Sequence, residues 1–204
     1  MIDRLLDHFE GEDVIVACIY CDFQDQERQT TANIIGALTR QVVNTLGKVP
    51  DGIEEAFKRV ERKLRGQELQ VSESVKLLQA ALTPAKRTFI CIDALDECPD
   101  KHRSHLLTAL HTICQASPGV QLFITGRPHI RDAVETLLPG GVQGISVSTN
   151  GDDIREYLEM ELKHDPVSSE MNHTLKADIM KHIPQRIPNQ YVMVNSISKA
   201  KSDH

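Results

Sequence analysis

Three acidic side chains follow an apolar run in the segment FICIDALDEC, residues 89–98. Asp93 comes directly after the run, and Asp96 and Glu97 lie one turn further on. An aspartate at the end of a buried strand can hold Mg²⁺ through water, because this hard cation keeps part of its hydration shell. A carboxylate one turn away can orient or deprotonate a water molecule that attacks a phosphate. The pattern favours a Mg²⁺–phosphate site over its alternative, in which the acids simply begin the next helix and suit its dipole.

A second apolar run, LFITGRPHI, ends in the small and polar residues Thr125, Gly126 and Arg127. The planar fork of an arginine at this position can bond two oxygens of a γ-phosphate. Taken alone, Arg127 is better explained as a solvated side chain before a proline-started helix. Together with the acidic strand end, the segment predicts a phosphate-sensing arginine.

The elements that must position these residues alternate along the chain. Apolar runs predict strands at 14–20, 87–93, 120–126 and 144–148. Helical periodicity predicts helices at 2–9, 31–46, 52–65, 73–82 (with Ser72 as its N-cap), 100–117, 129–138, 152–162 and 178–183. Such alternation, with strands apolar on both faces, is typical of a parallel α/β sheet. Ligands bind at the carboxyl ends of such strands, so Asp93 and Arg127 are expected at the same edge.

Composition excludes several classes of protein. The 204 residues are 40% hydrophobic and carry a formal charge of −6, which argues against a general nucleic-acid or anionic-membrane binder. No apolar run reaches the roughly 18 residues that span a bilayer, and the first residues do not resemble a signal peptide. We therefore predict a cytoplasmic protein with neither nucleic acid nor membrane as a partner.

The five cysteines are an odd number and lie inside apolar segments. Cys18 and Cys21 form a C-x-x-C, but residues three apart in a strand point to opposite faces. No second pair or histidine lies at the spacing of a zinc site. The pattern predicts buried free thiols in a reducing compartment.

The two central motifs resemble those of a known family. FICIDALDEC resembles the extended Walker B motif of NACHT-type STAND NTPases, and LFITGRP resembles their sensor 1. The segment at residues 19–43 is similar to the part that follows the P-loop helix in the fungal, nephrocystin-like N-terminal branch of that family. Residues 145–162 resemble the passage into the following helical domain. The resemblance covers about residues 1–165.

The resemblance implies an architecture and domain boundaries. The expected fold is a three-layer, P-loop NTPase-like parallel sheet with helices on both faces, lacking the P-loop strand and followed by the start of a helical domain. The expected boundaries are 1–149 for the incomplete NTPase core, 150–183 for the start of the helical domain and 184–204 for a poorly specified tail.

The resemblance also implies ATP or ADP with Mg²⁺ as ligands, and an exchange between them that controls oligomerisation and signalling. Ankyrin, WD40 or similar repeats often follow such a module. Asp93 would be the Mg²⁺-associated acid, and Asp96 and Glu97 would activate water. Arg127 would sense the γ-phosphate, with Thr125 in the same nucleotide site. Possible partners are further copies of the chain or full-length NACHT proteins.

One motif of the family does not occur in the 204 residues. No G-x-x-x-x-G-K-[ST] is present, and the nearest pair, Gly47-Lys48, lacks the leading glycine and a following Ser or Thr. The chain is expected to start just after the P-loop, as a truncated gene product or an incomplete gene model. Without the P-loop strand, the strand around 122–125 is expected to expose an unpaired edge, and the strand around 145–148 to be separated from the others.

Three functions are therefore considered. The first is a truncated NACHT-family ATP/ADP switch domain of an NLR-like signalling protein, weak or inactive in ATP binding by itself. The second is a non-catalytic interaction or decoy module for full-length NACHT proteins. The third and weakest is a metal-dependent hydrolase that uses Asp93, Asp96 and Glu97 without ATP.

Overall fold

The computed structural model describes residues 9, 13–47, 49, 53–55, 58, 70–138, 142–147, 151–164, 173–186 and 190–195. In this part of the chain the strands form one sheet with the order β1-β2-β3-β5-β4. The strands are β1 (Val14–Tyr20), β2 (Arg87–Asp93), β3 (Val120–Gly126), β4 (Val142–Val147) and β5 (Gln190–Asn195). The helices whose two ends lie within the described residues are α1 (Thr31–Leu46), α2 (Val71–Leu82), α3 (Asp100–Ala116), α4 (Arg131–Leu137), α5 (Gly151–His164) and α6 (His173–Arg186). Short 3₁₀ turns occupy Phe23–Asp25, Leu95–Glu97 and Pro128–Ile130.

Strands β1, β2 and β3 are parallel neighbours. Tyr20 pairs with Asp93, and Ile92 pairs with Ile124, so the three strands end at the same edge. Strand β2 is buried at Thr88 to Ile92, without the alternation of a half-exposed strand. This is the burial that a strand covered on both faces requires, and it confirms the predicted α/β class with a parallel sheet.

Helix α1 covers part of this sheet and packs against β1 and α2. Its buried residues Ile34, Ile35, Leu38 and Val42 recur at helical spacing and form one apolar face. Thr30 caps the helix by accepting a hydrogen bond from the backbone N–H of Asn33. The helix ends at Gly47, whose φ of 65° lies in the left-handed region that glycine adopts without strain. The helix therefore forms over the predicted range.

A side-chain amide protects the edge of the sheet at β1. The backbone N–H of Cys18 donates to Gln41 Oε1 at 2.9 Å, and Gln41 Nε2 donates to the carbonyl of Cys18 at 2.8 Å. The amide thus offers one acceptor and one donor, as the backbone of a neighbouring strand would. This contact fixes α1 on β1 and occupies backbone groups that would otherwise face another chain.

Other boundaries differ from the predicted ones. Helix α2 begins at Val71, so Ser72 lies inside the helix; the N-cap residue is Gln70, which makes no side-chain capping bond. The predicted helix 129–138 is a 3₁₀ turn followed by α4, because Pro128 starts the turn. Helices α5 and α6 and strand β4 overlap the predictions with shifted ends. Residues 2–8 and most of 52–65 lie outside the described residues, but residues 53–55 are helical.

The position next to β3 is filled by the last strand in the sequence. Strand β5 lies between β3 and β4. The prediction of an unpaired edge beside 122–125 and of a separated strand at 145–148 is therefore wrong. The physical reason is that Gln190–Asn195 supplies backbone partners to both neighbours. This strand lies within residues 184–204, for which the sequence predicts a poorly specified tail.

The chain divides into two compact units, residues 1–145 with 192–204, and residues 146–191. The first contains the core and the parallel strands; the second contains α5 and α6, which pack against each other. The predicted boundaries at 149 and 183 stay predictions. In the part of the chain that the structure describes, no helix is both long enough and apolar enough to cross a bilayer.

Candidate functional site

The ends of β2 and β3 are joined by a hydroxyl group. Thr125 Oγ1 donates a short hydrogen bond to Asp93 Oδ1 and accepts one from the backbone N–H of Ala94 at 2.9 Å. Both side chains are half-buried. Since the strands are parallel neighbours, this contact follows from their register. It brings together two of the predicted site residues, Asp93 and Thr125.

Ala94 makes the turn that presents the acids. Its φ of 52° and ψ of 45° lie in the left-handed region, which costs a non-glycine residue about 1–2 kcal/mol. The chain leaves β2 here and enters the 3₁₀ turn Leu95–Glu97, which Leu95 anchors in the core with a fully buried side chain. The backbone strain is therefore offset by the hydrogen bond to Thr125 and by the burial of Leu95.

Asp96 binds Arg127, the predicted phosphate sensor. The backbone N–H of Arg127 donates to Asp96 Oδ1 at 3.1 Å, and Nε lies 3.3 Å from Oδ2. The Asp96 side chain is 7% exposed and that of Arg127 is 65% exposed. A Cβ on Gly126 would lie 2.5 Å from Ile130 Cδ1 and 3.3 Å from Asp96 Oδ1, so a larger residue here would have to displace the buried end of Ile130. The positive charge beside these acids thus comes from the chain itself.

Glu97 is held by the loop that follows β1. The backbone N–H of Phe23 donates to Glu97 Oε2 at 3.1 Å, and Gln26 Nε2 donates to the carbonyl of Glu97 at 3.2 Å. These contacts join segments more than seventy residues apart. Sequence inspection assigned this loop no role in the site, and its polar composition gave no specific signal.

Arg103 is a further residue that sequence inspection missed. Its Nη1 donates to the carbonyls of Cys98 at 3.2 Å and Asp96 at 3.4 Å, and Nη2 lies 2.6 Å from Asp100 Oδ1. Its side chain is only 12% exposed. The spacing of Asp100 and Arg103 at a helix start was the available signal. Arg103 ties the acidic turn to α3, which begins at Asp100, after the acids and not with them.

The described residues do not form a metal cage. No group of three or more His, Cys, Asp or Glu in that part of the chain is arranged to hold an ion. Mg²⁺ that arrives on a phosphate ligand keeps most of its water and needs only one or two protein carboxylates, so a cluster of three is not required for it. Gly47 ends α1 and forms no phosphate loop.

The fold and site define an α/β protein whose adjacent parallel strands end in an acid–hydroxyl pair and an acid–arginine pair. The model of the family "Nephrocystin 3, N-terminal" matches residues 1–127 of the 204, which include all five predicted site residues. The chain belongs to the nephrocystin 3 N-terminal family. No curated protein and no solved structure matched the chain. The nephrocystin-like part of the predicted resemblance is thereby confirmed.

Proposed function

We propose that this domain is a nucleotide-binding module of a NACHT-type ATP/ADP switch and that it supplies the metal-associated half of the site. The observation that carries the proposal is the contact between Asp93 and Thr125 at the carboxyl ends of adjacent parallel strands. Ligands of α/β sheets bind at this edge. The family match over residues 1–127 supports the proposal, because it includes both strand ends.

Each site residue has a role that its contacts support. Asp93, oriented by Thr125, would bind the water shell of Mg²⁺, and the ion would neutralise charge on the β- and γ-phosphates. Glu97 and Asp96 would orient water. Arg127 would transfer its guanidinium from Asp96 to the γ-phosphate, and its 65% exposure leaves room for that movement. Asp96 would still accept the hydrogen bond from the backbone N–H of Arg127 while the guanidinium moves to the phosphate.

The affinity of these residues for ATP is expected to be low. A phosphate loop contributes backbone N–H groups and a lysine to the phosphates, and the 204 residues contain no such motif. The two arginines described at the site are already paired, Arg127 with Asp96 and Arg103 with Asp100. We expect a Kd for Mg–ATP of about 1 mM or weaker, equivalent to roughly −4 kcal/mol.

A paramagnetic probe detects such weak binding. Mn–ATP should broaden the amide resonances of Ala94, Thr125 and Arg127. The amide of Gly119, about 20 Å away beyond the other end of β3, should stay sharp. Asp93→Asn keeps the shape and the Thr125 contact and should abolish the broadening. Uniform broadening, or selective broadening that persists in Asp93→Asn, would contradict the proposed role of Asp93.

Calorimetry tests whether these residues bind ATP only weakly because they contain no phosphate-loop motif. Titration with Mg–ATP should show no saturable heat below about 1 mM. A micromolar, Mg²⁺-dependent affinity would show that these residues bind phosphate without a phosphate loop. Such a result would overturn the expected weakness of binding and leave the nucleotide site itself supported.

A specific observation favours the second candidate function, a non-catalytic interaction module for full-length NACHT proteins. Asp93, Asp96 and Glu97 are each hydrogen-bonded within the chain. Because these three carboxylates already have hydrogen-bond donors within the chain, the site is stable without a ligand. An interaction module that binds no nucleotide requires this stability. The module should co-purify with a full-length NACHT protein or with further copies of itself, and Asp93→Asn should leave that association unchanged. Failure to associate with either would count against it.

A further inference from the structure

The acidic turn, residues 95–98, is held through its backbone as well as through its carboxylates. The carbonyls of its last three residues accept hydrogen bonds from side chains outside the turn. Arg103 Nη1 donates to the carbonyls of Asp96 at 3.4 Å and Cys98 at 3.2 Å, and Gln26 Nε2 donates to the carbonyl between them at 3.2 Å. Since Gln26 lies in the loop after β1 and Arg103 in α3, two separate elements fix the backbone of the turn.

Arg103 occupies a position that is unfavourable for a helix cation. It lies in the first turn of α3, which begins at Asp100, so its charge meets the positive end of the helix dipole. Its side chain is only 12% exposed, and a buried charge is costly unless it is paired and hydrogen-bonded. The bonds to the carbonyls of the turn and to Asp100 offset both costs. The position of Arg103 therefore serves the turn more than the helix.

The carboxylates beside these carbonyls repel one another. Asp93, Asp96 and Glu97 lie within five successive residues, and repulsion between like charges is strongest where water is excluded, as at the nearly buried Asp96. Asp96 and Glu97 can orient a water molecule only if they are held within about 0.5 Å of the productive position. A turn that was free to relax would lose this precision, and the hydrogen bonds to its carbonyls oppose that relaxation.

We propose that Gln26 and Arg103 are positioning residues of the nucleotide site. Neither would bind the phosphates; each holds the backbone of the acidic turn and thereby the directions of the Asp96 and Glu97 side chains. The chemical role of this arrangement rests on the proposed function. The positions of the two carboxylates, however, can be measured without a nucleotide, so the two proposals can fail separately.

Two backbone amides report where the carboxylates lie. The N–H of Arg127 donates to Asp96 Oδ1, and the N–H of Phe23 donates to Glu97 Oε2. A hydrogen bond to a carboxylate moves an amide proton downfield, so its weakening should move the resonance upfield. In the ligand-free full chain, Arg103→Lys should shift both resonances, because an ammonium lacks the planar fork of the guanidinium. Gln26→Ala should shift that of Arg127, which lies in a different loop and is therefore the informative reporter for this variant.

Matched controls separate positioning from general perturbation. Gln24→Ala removes another exposed amide from the same loop and keeps the bond from the backbone N–H of Gln24 to Asp22. Asp100→Asn removes the charge beside Arg103 but leaves the carbonyls of the turn to it. Both should leave the amide of Arg127 in place. Gln26 is exposed, so its variant should fold even if the Arg103 variant does not.

Mn–ATP then tests the role in the site. At one sub-saturating concentration, the broadening of the Ala94 and Thr125 amides should be about tenfold weaker in Gln26→Ala and Arg103→Lys than in the natural chain. If the natural chain shows no broadening, nucleotide binding fails, and the ligand-free shifts still decide whether the two residues hold the carboxylates. An Arg127 amide that stays in place in both variants would overturn the proposal, as would unchanged broadening. Equal shifts at Gly119, beyond the other end of β3, would also overturn it by showing a general structural role.

Discussion

Asp96 receives two donors from Arg127: the backbone N–H at 3.1 Å from Oδ1 and the guanidinium Nε at 3.3 Å from Oδ2. The two contacts differ in their surroundings, because the carboxylate is nearly buried and the guanidinium is largely exposed. Their contributions to stability should differ accordingly. An exposed ion pair contributes little, whereas a backbone hydrogen bond to a charged group contributes about 1.5–3 kcal/mol.

Asp96→Ala should therefore destabilise the domain more than Arg127→Ala does. The first variant leaves the N–H of Arg127 without its acceptor and should cost about 1–3 kcal/mol in the free energy of unfolding. The second retains the backbone donor and should cost less than about 1 kcal/mol. Urea unfolding followed by circular dichroism measures both. Equal losses would show that the guanidinium carries the interaction.

Thr125→Val tests the contribution of the Thr125 hydroxyl to stability while the shape of the side chain stays nearly the same. The variant keeps the branched side chain but removes the donor to Asp93 and the acceptor for the N–H of Ala94. We expect a loss of about 1–3 kcal/mol in the free energy of unfolding. Thr125→Ser is the matched control, since it keeps the hydroxyl, and should lose less. If valine is tolerated as well as serine, the hydroxyl bridge is not what joins the two strand ends.

Ala94→Gly should be neutral or should stabilise the fold by up to about 1 kcal/mol. Its left-handed conformation is strained for alanine and free of strain for glycine, and the larger entropy of glycine in the unfolded chain offsets part of the gain. Ala109→Gly, in the middle of α3, is the control and should destabilise by about 1 kcal/mol or more. Thermal unfolding of the two variants checks the difference. A comparable loss in both would mean that the turn at Ala94 is unstrained.

Gln41→Ala should weaken the protected edge at β1. The variant leaves the N–H and carbonyl of Cys18 without the side-chain amide and should cost about 1–2 kcal/mol. It should also aggregate more readily, because an exposed edge strand pairs with other chains. Arg40→Ala changes an exposed neighbour on α1 and should do neither. Unfolding and light scattering give the two readouts, and an Arg40 variant that behaved like the Gln41 variant would remove the edge explanation.

The free energy of unfolding should fall in alkaline solution, because the thiol of Cys114 is buried in the folded chain. Burial raises the pKa of its thiol from about 9 to about 12. Above pH 9 the unfolded chain ionises this thiol while the folded chain keeps its proton. The unfolded state then binds fewer protons, so stability falls as pH rises toward 12, by up to about 1.4 kcal/mol per pH unit.

Cys114→Ala should lower the free energy of unfolding at pH 7, because packing is lost. Between pH 9 and 11, however, the free energy of unfolding of this variant should fall less steeply than that of the natural chain. Urea unfolding across this range measures the two slopes. Thr112→Ala, an exposed change on the same helix, should follow the natural chain. Parallel slopes for the Cys114 variant and the natural chain would show that the thiol does not titrate across the transition.

Much of the local structure follows from the sequence alone. Strands β1, β2 and β3 and helix α1 have their predicted limits, because unbroken apolar runs specify buried strands and a helical stripe with Thr30 and Gly47 at its ends specifies a helix. The placement of Asp93 and Thr125 at one edge follows from the same patterns, since parallel neighbours end together. The sequence also identified Arg127 as a partner for negative charge.

Only the tertiary structure decided which charge Arg127 meets, what holds Glu97 and where the last strand lies. The partner of Arg127 is Asp96, the donors to Glu97 come from a loop more than seventy residues away, and β5 lies between β3 and β4. Hydrophobic periodicity records which face of an element is buried but contains no information about which distant element covers it. Hydrogen bonds between distant segments depend on that choice, so the internal pairing of the acids became visible only in the folded chain.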